Sequence, residues 1–312
     1  MKRKQMDKWT IENINVAVNE TRENGVIHCN FYNNTQIELD NLNKYLFKER
    51  PDLILRFQAK NSDELSLLPH LKNIKKLSMF GYESLNQLKD MNHLTYLEIY
   101  NVNKKALDID FLEELIHLND LRLTAKVKNL EVIGKCRNLE KLYLSTTITN
   151  YNFMQSLNEI KVMYIDYCSA SNDFSLLNKP TLKELSITSI NNLENIDTLK
   201  YFSGLQKLRL SSSKLKRLPN MSKLVNLREL ELVGLKIWEN PEIIKTIPLL
   251  EKLELAEINT KLDAEQFYFL AAIKTLKEID FRFIDFNKKR IDRLNKWFAE
   301  KGKENIVIKN ET

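Results

Sequence analysis

Leucine returns in the stretch NLRELELVGLKI, residues 226 to 237, at positions 227, 230, 232 and 235, a spacing that serves neither one helix nor one strand. A helix would place its apolar side chains three and four apart, and a strand would alternate them throughout. Taking Leu230 as reference, an apolar pair two residues apart recurs at Leu53/Leu55, Leu77/Met79, Leu97/Ile99, Leu121/Leu123, Leu142/Leu144, Met163/Ile165, Leu185/Ile187, Leu208/Leu210, Leu253/Leu255 and Ile279/Phe281. Most copies carry a further apolar residue three places earlier, among them Ile74, Leu94, Leu118, Leu139, Leu182 and Leu227. Weaker copies at Ile27/Cys29 and Ile306/Ile308 extend the series outward, to about thirteen rungs.

Such a period implies a stack. Each alternating segment forms a short strand with its reference residues inward, and the rest of the copy returns so that the next strand pairs in parallel. One copy cannot bury its own apolar face, whereas stacked copies share a continuous core. The 312 residues are therefore read as one domain, 1–312, although length alone would suggest two.

In these residues the chain resembles the leucine-rich repeat family over nearly its whole length. It is most similar to the subclass with a 22-residue period, found in bacterial internalins and some phosphatase regulatory subunits, and LQKLRLSSSKLKRLPNMSKLVNL, residues 205 to 227, is the clearest copy. The resemblance implies an α/β solenoid, a horseshoe with a parallel concave sheet of about 12 to 13 strands and a mixed helical and extended convex side. It also implies a non-catalytic protein-interaction scaffold with no cofactor.

The chain departs from the family pattern at the asparagine that usually follows the strand. That slot falls at Tyr82, Val102, Lys126, Thr147, Cys168, Ile190, Ser213, Leu235, Ile258 and Ile284, and a partial internal ladder is expected, carried at best by Thr147, Cys168 and Ser213. Apolar spacing predicts helical convex segments at 104–118, 240–250 and 262–276. Residues 13–52 are read as an N-terminal cap and first rung, 53–284 as regular repeats and 285–312 as a C-terminal cap. Alternation on both sides of Asn24-Gly25 predicts a hairpin in the first cap, with a helix as the alternative. NKKRIDRLNKWFAEKGK predicts an amphipathic helix using Ile291, Leu294, Trp297 and Phe298, followed by a closing strand at NIVIK.

Candidate chemistry is sparse. His93 and His117 fall in the slot before the strand that Asn73, Asn138 and Asn226 hold elsewhere, which makes them turn residues; His70 lies on a connection, and His28 projects alone from the concave face. Cys29, Cys136 and Cys168 are expected to be buried and separate, as unbridged thiols in a reducing compartment. Six scattered glycines form no phosphate-cradling motif. A start interrupted by Asp7, Glu12, Asn13 and Asn15, and the lack of any long apolar run, give neither secretion signal nor membrane span, so a cytoplasmic monomer with no membrane contact is expected.

The candidate site is then the concave face. Aromatic and arginine residues gather at Arg56, Phe80, Tyr96, Tyr100, Arg122, Tyr143 and Tyr164, the types that dominate interface energetics. Acids accumulate at Glu229, Glu231, Glu254, Glu278 and Asp280, a zone expected to favour a basic segment of a partner. A protein partner of unknown identity is the leading reading. A formal charge of +6 is too weak to argue for nucleic acid, and the lysine runs, at a terminus, a connection and a cap, read better as solvated faces, so nucleic acid is the less favoured partner. Nucleic-acid binding and a phosphatase-regulator-like subunit remain the alternatives.

Overall fold

The computed structural model describes residues 8–59, 61, 63–101, 105–190, 192–282 and 288–306. The predicted alternating segments are strands: β1 (Val26–Asn30), β2 (Ile54–Gln58), β3 (Lys76–Phe80), β4 (Tyr96–Asn101), β5 (Asp120–Ala125), β6 (Lys141–Ser145), β7 (Val162–Asp166), β8 (Glu184–Thr188), β9 (Lys207–Ser211), β10 (Glu229–Val233), β11 (Lys252–Ala256) and β12 (Glu278–Arg282). They follow one another in chain order in a twelve-stranded sheet, and the described pairings are parallel. Two compact units divide the chain, residues 1–146 with 155–159 and residues 147–154 with 160–312, so that β1 to β6 belong to the first and β7 to β12 to the second.

Register confirms the repeat and corrects it once. Leu230 sits beside Leu208 and Leu253, and Leu97 beside Leu77 and Leu121, all buried. In β2, however, Leu55 pairs with Ile27 and Leu77, and Phe57 with Cys29 and Met79, so the inward pair is Leu55/Phe57 instead of Leu53/Leu55. Apolar residues at 53, 55 and 57 satisfy either choice, and Leu53 is buried too. A shift of two preserves the alternation, so Arg56 keeps its outward position. Asp52 lies before the strand and pairs with Arg50 at 2.8 Å.

The N-terminal cap is a helix, not a hairpin. Thr10 caps α1 (Ile11–Glu20) by accepting a hydrogen bond from the Asn13 N–H at 3.2 Å, and Ile14 and Ala17, three apart, turn inward. The alternation of NINVAV fits either element, and the threonine cap with burial at helical spacing decides for the helix. Asn24-Gly25 does form the turn, with Asn24 at φ 55°, but it joins helix to strand. Arg50 fastens the helix end by donating to the carbonyls of Val18 (2.8 Å) and Thr21 (3.0 Å), while Trp9 donates to the His28 carbonyl at 2.7 Å.

At the other end, α2 (Lys288–Glu300) buries Leu294 and Phe298 as predicted, and Trp297 stacks on Tyr268 with ring centres 4.5 Å apart. No strand follows directly: Asn305 and Ile306 lie in a 3-10 turn, Glu304–Ile306, and the rest of the NIVIK segment, like Ile308 of the weak outer copy, lies outside the described residues. The convex segments expected to be helical are 3-10 turns, Asp110–Glu114, Pro241–Thr246 and Ala264–Ala272. Several other copies return the same way, for example Asn86–Asp90 and Asp197–Tyr201, while residues 212–228 return without a helix.

Two alternative turns replace the asparagine slot. In one, inward alternation continues to the fourth residue after the reference, burying Asn101, Ala125, Thr146 and Ser212. In the other, that residue adopts the left-handed conformation, as at Gly81, Tyr167, Ser189, Gly234 and Glu257, and the next one turns inward, burying Cys168, Ile190, Leu235 and Ile258. The predicted ladder residues Thr147 and Ser213 are therefore exposed, displaced by their neighbours Thr146 and Ser212; Cys168 is buried as expected. Internal polar rungs occur elsewhere: Ser212 donates to the Leu193 carbonyl at 2.8 Å, Asn259 to that of Trp238 at 2.8 Å, and Asn101 to that of Tyr82 at 2.5 Å.

A second ladder runs through the slot before each strand. Asn138 donates to the Ile116 carbonyl at 2.6 Å, Asn226 to that of Ser203 at 2.7 Å, Thr275 to that of Leu250 at 2.7 Å, and His93 bonds that of Leu71 at 3.2 Å. The histidine is thus a turn residue, and burial holds its imidazole below its ordinary pKa.

Candidate partner-binding face

Side chains at alternate positions of each strand point away from the core, so the outward face of each unit can be read strand by strand. In the first unit the register aligns Arg56, Ser78, Glu98, Arg122 and Tyr143 across β2 to β6. Arg56 reaches Glu98 at 3.6 Å, and Ser78 donates to the same carboxylate at 2.5 Å. The Arg56 guanidinium lies 4.6 Å from the centre of the Phe80 ring, and Phe80 lies 5.5 Å from Tyr100, whose side is open with 43% of the residue exposed.

Beside this group, Arg122 is held between two rings, 5.3 Å from the centre of Tyr96 and 4.3 Å from that of Tyr143. Its Nε meets Asp120 Oδ1 at 3.4 Å. Tyr96, predicted to be presented to a partner, is 8% exposed and serves as the floor under Arg122. Burial, with the nearby Glu98 carboxylate, pushes its phenol pKa well up, and burial likewise raises the Asp120 carboxyl in spite of Arg122. Arg56, Phe80 and Tyr100 thus form one group, and Arg122 and Tyr143 a second on the neighbouring strands. Tyr164 belongs to the second unit, where it donates to Glu184.

In the second unit the acids are interleaved with bases. Lys207 meets Glu231 at 2.8 Å and Glu229 at 3.5 Å, Arg209 meets Glu231 at 2.9 Å, and Lys252 meets Glu278 at 3.4 Å. A depression of about 190 Å³ is lined by Glu229, Glu231, Lys252, Glu254, Glu278 and Asp280. Asp280 is only 7% exposed, so it lines the depression's floor and offers little surface. The run of acids legible in the sequence is less open than its spacing suggests, because the strand before it, β9, supplies Lys207 and Arg209 at matching heights.

No cluster of histidine, cysteine and acidic residues that could hold a metal occurs among the described residues. The three cysteines are buried and in no disulfide, and burial raises the thiols of Cys29 and Cys136 to about 12, which keeps them protonated and unreactive. No helix among the described residues is long and apolar enough to cross a membrane.

No family model matches the chain. It is 26% identical over 289 residues to volume-regulated anion channel subunit LRRC8B of Homo sapiens, an alignment covering 88% of this chain and 33% of that protein. The chain thus spans about a third of the length of that relative. Among solved structures, it is similar to an internalin, InlF, of Listeria monocytogenes, with a TM-score of 0.51, 13% identity, and coverage of 80% of this chain and 83% of that one. It is also similar to the leucine-rich repeat protein LIC12759 of Leptospira interrogans (TM-score 0.50, 16% identity, 88% and 75% covered). A third is TLR13 in its complex with ssRNA13 (TM-score 0.53, 19% identity, 82% and 39% covered). The fold is that of the leucine-rich repeat proteins.

Proposed function

We propose that this chain is a non-catalytic scaffold that holds a protein partner on the outward face of its sheet, centred on Arg56, Phe80, Tyr100, Arg122 and Tyr143. The observation that carries the reading is the Phe80–Tyr100 ring pair, open to solvent on one side and flanked by Arg56 on the other. Rigid aromatic and arginine side chains lose little conformational freedom on binding and recur at interface hot spots. The acids of the second unit, Glu229, Glu231, Glu254 and Asp280, with Tyr164, are a further contact zone in this reading. The proposed setting is a cytoplasmic monomer, for which three buried unbridged thiols suit a reducing compartment, and residues 1–312 are proposed to act as one domain. TLR13 is in complex with ssRNA13 in its solved structure; here the paired acids on the outward face favour a protein.

The test is affinity capture from the native cell extract with the intact chain and with the Tyr100→Ala/Tyr143→Ala variant side by side. The reading expects a captured protein that the double variant loses, at an affinity cost of about 2 kcal/mol or more, while the melting temperature changes little. A partner retained by the variant, or a nuclease-sensitive capture, overturns it.

A further inference from the structure

The outward face of β2 to β6 carries four cations, Arg56, Lys76, Arg122 and Lys141, against two carboxylates, Glu98 and Asp120. The carboxylates are already engaged: Glu98 by Arg56 and Ser78, Asp120 by Arg122 through a single contact at Nε. Lys76 donates to Asn24 at 2.6 Å, a neutral partner. Lys141 is exposed and attracts Asp120, its neighbour in register, only at longer range, with no salt bridge among the described residues.

Arg122 has the more telling geometry. A guanidinium carries five N–H donors, and here only Nε has a partner among the described residues, at 3.4 Å. The Tyr96 ring on β4 and the Tyr143 ring on β6 flank the guanidinium carbon at 5.3 and 4.3 Å, which restricts this long side chain before binding and reduces the ordering that binding costs. About 40% of the Arg122 side chain is exposed, which leaves an edge of the fork accessible. A planar fork fixed in this way matches a carboxylate by two parallel hydrogen bonds. Lys141, on the adjacent strand, adds an exposed ammonium, and Thr124 and Ser145 follow on the same face as neutral donors.

Resting on the proposed role of this face, we infer that Arg122 and Lys141 form a preorganised seat for a carboxylate of the partner, so that the first unit holds an acidic protein segment whose neighbouring apolar side chain covers Phe80 and Tyr100. The choice of occupant follows from charge complementarity: two cations in excess, one fixed in a geometry that suits a planar anion, next to an uncovered aromatic pair. A basic segment would meet Lys141 and Arg122 with no unspent carboxylate to receive it.

The experiment is selection of a random peptide library on the intact chain, followed by affinity measurement of the selected peptides. The expected result is enrichment of Asp or Glu beside an apolar residue, with binding that weakens as salt rises. The same peptides should bind about tenfold or more weakly to Lys141→Gln and to Arg122→Lys, which keeps the charge and removes the planar fork. Lys141 is exposed and forms no salt bridge among the described residues, so its variant separates recognition from folding. Neutral or basic selected peptides whose binding is lost in Tyr100→Ala would overturn the acidic seat and leave the binding face standing. Peptides indifferent to Tyr100→Ala, or none retained, would overturn both. Displacement by an equal concentration of inorganic phosphate would also overturn the seat, since a general anion site would read no side chain.

Discussion

Trp238 and Asn240 are joined inside the second unit by a hydrogen bond of 2.9 Å from the indole N–H to the asparagine Oδ1. The same oxygen accepts from the Leu218 N–H at 3.1 Å, and the asparagine Nδ2 donates to the Leu218 carbonyl at 3.0 Å. One buried side chain thereby satisfies three groups, two of them on a segment, 212–228, that has no helix to satisfy its own backbone.

Asn240→Ala strands all three groups at once. The expected cost is about 2–3 kcal/mol, since each buried group left without a partner loses its water without compensation. Asn240→Asp should be no better, because it loses the donation to Leu218 and buries a charge. Urea unfolding midpoints decide the point: a shift worth less than about 0.5 kcal/mol for the alanine variant would show that water replaces the side chain.

The left-handed turns give a paired prediction. At Gly81, φ is 80° and an added Cβ would meet nothing within 4 Å, so Gly81→Ala isolates backbone strain from crowding. Its expected cost is about 1 kcal/mol. Glu257 occupies the equivalent place with φ 51° and already bears that strain. Glu257→Gly should therefore leave stability unchanged within about 0.5 kcal/mol, the relief of strain offsetting the greater freedom of the unfolded chain. Equal losses for both substitutions would mean that the two turns are held differently.

Leu208, 1% exposed and in register with Leu185 and Leu230, tests the shared core. Leu208→Asp should cost about 4 kcal/mol or more, because an unpaired carboxylate replaces a buried apolar group. If residues 1–312 unfold as the single domain proposed, Trp9 of the first unit and Trp238 of the second will report one and the same lowered midpoint. Separate midpoints would assign each unit its own cooperativity.

The repeat was legible because burial enforces it: at Leu77/Met79, Leu97/Ile99, Leu121/Leu123, Leu142/Leu144, Met163/Ile165, Leu185/Ile187, Leu208/Leu210, Leu230/Leu232 and Leu253/Leu255 the alternating segment is a strand with both residues buried. Legibility failed where several answers satisfy the same burial. Leu53, Leu55 and Phe57 allow two registers, and only the pairing with Ile27 and Cys29 chooses between them. NINVAV alternates like a strand, and what makes it a helix is a hydrogen bond from Asn13 to Thr10 together with burial of Ile14 and Ala17. In the candidate site the residue types were readable, but their pairings were not. Nothing local in the sequence says that Tyr96 lies under Arg122, or that Lys207 and Arg209 reach Glu231, since those partners are set by stacking of copies about 22 residues apart.

Arg50 and Asp52 carry the last prediction. Arg50 Nε and Nη2 hold the two carboxylate oxygens of Asp52 at 2.8 and 2.9 Å, which fixes the guanidinium so that Nη1 can close the end of α1 on Val18 and Thr21. The hydrogen bonds from Arg50 and the Asn24 N–H lower the Asp52 pKa from 3.8 to about 2. The folded-state value lies below the unfolded one, so this contribution is fully present above about pH 4 and is lost as pH falls towards 2. With both side chains partly exposed, it amounts to about 1 kcal/mol after solvent screening. Asp52→Asn should accordingly destabilise the chain at neutral pH and flatten the acid limb of its stability curve between those limits. Arg50→Gln should do the same and in addition raise amide exchange through α1, because the Val18 and Thr21 carbonyls lose their donor. An Arg50→Gln variant whose α1 amides remain as protected as before would show that Ile14, Ala17 and Trp9 hold the helix without it.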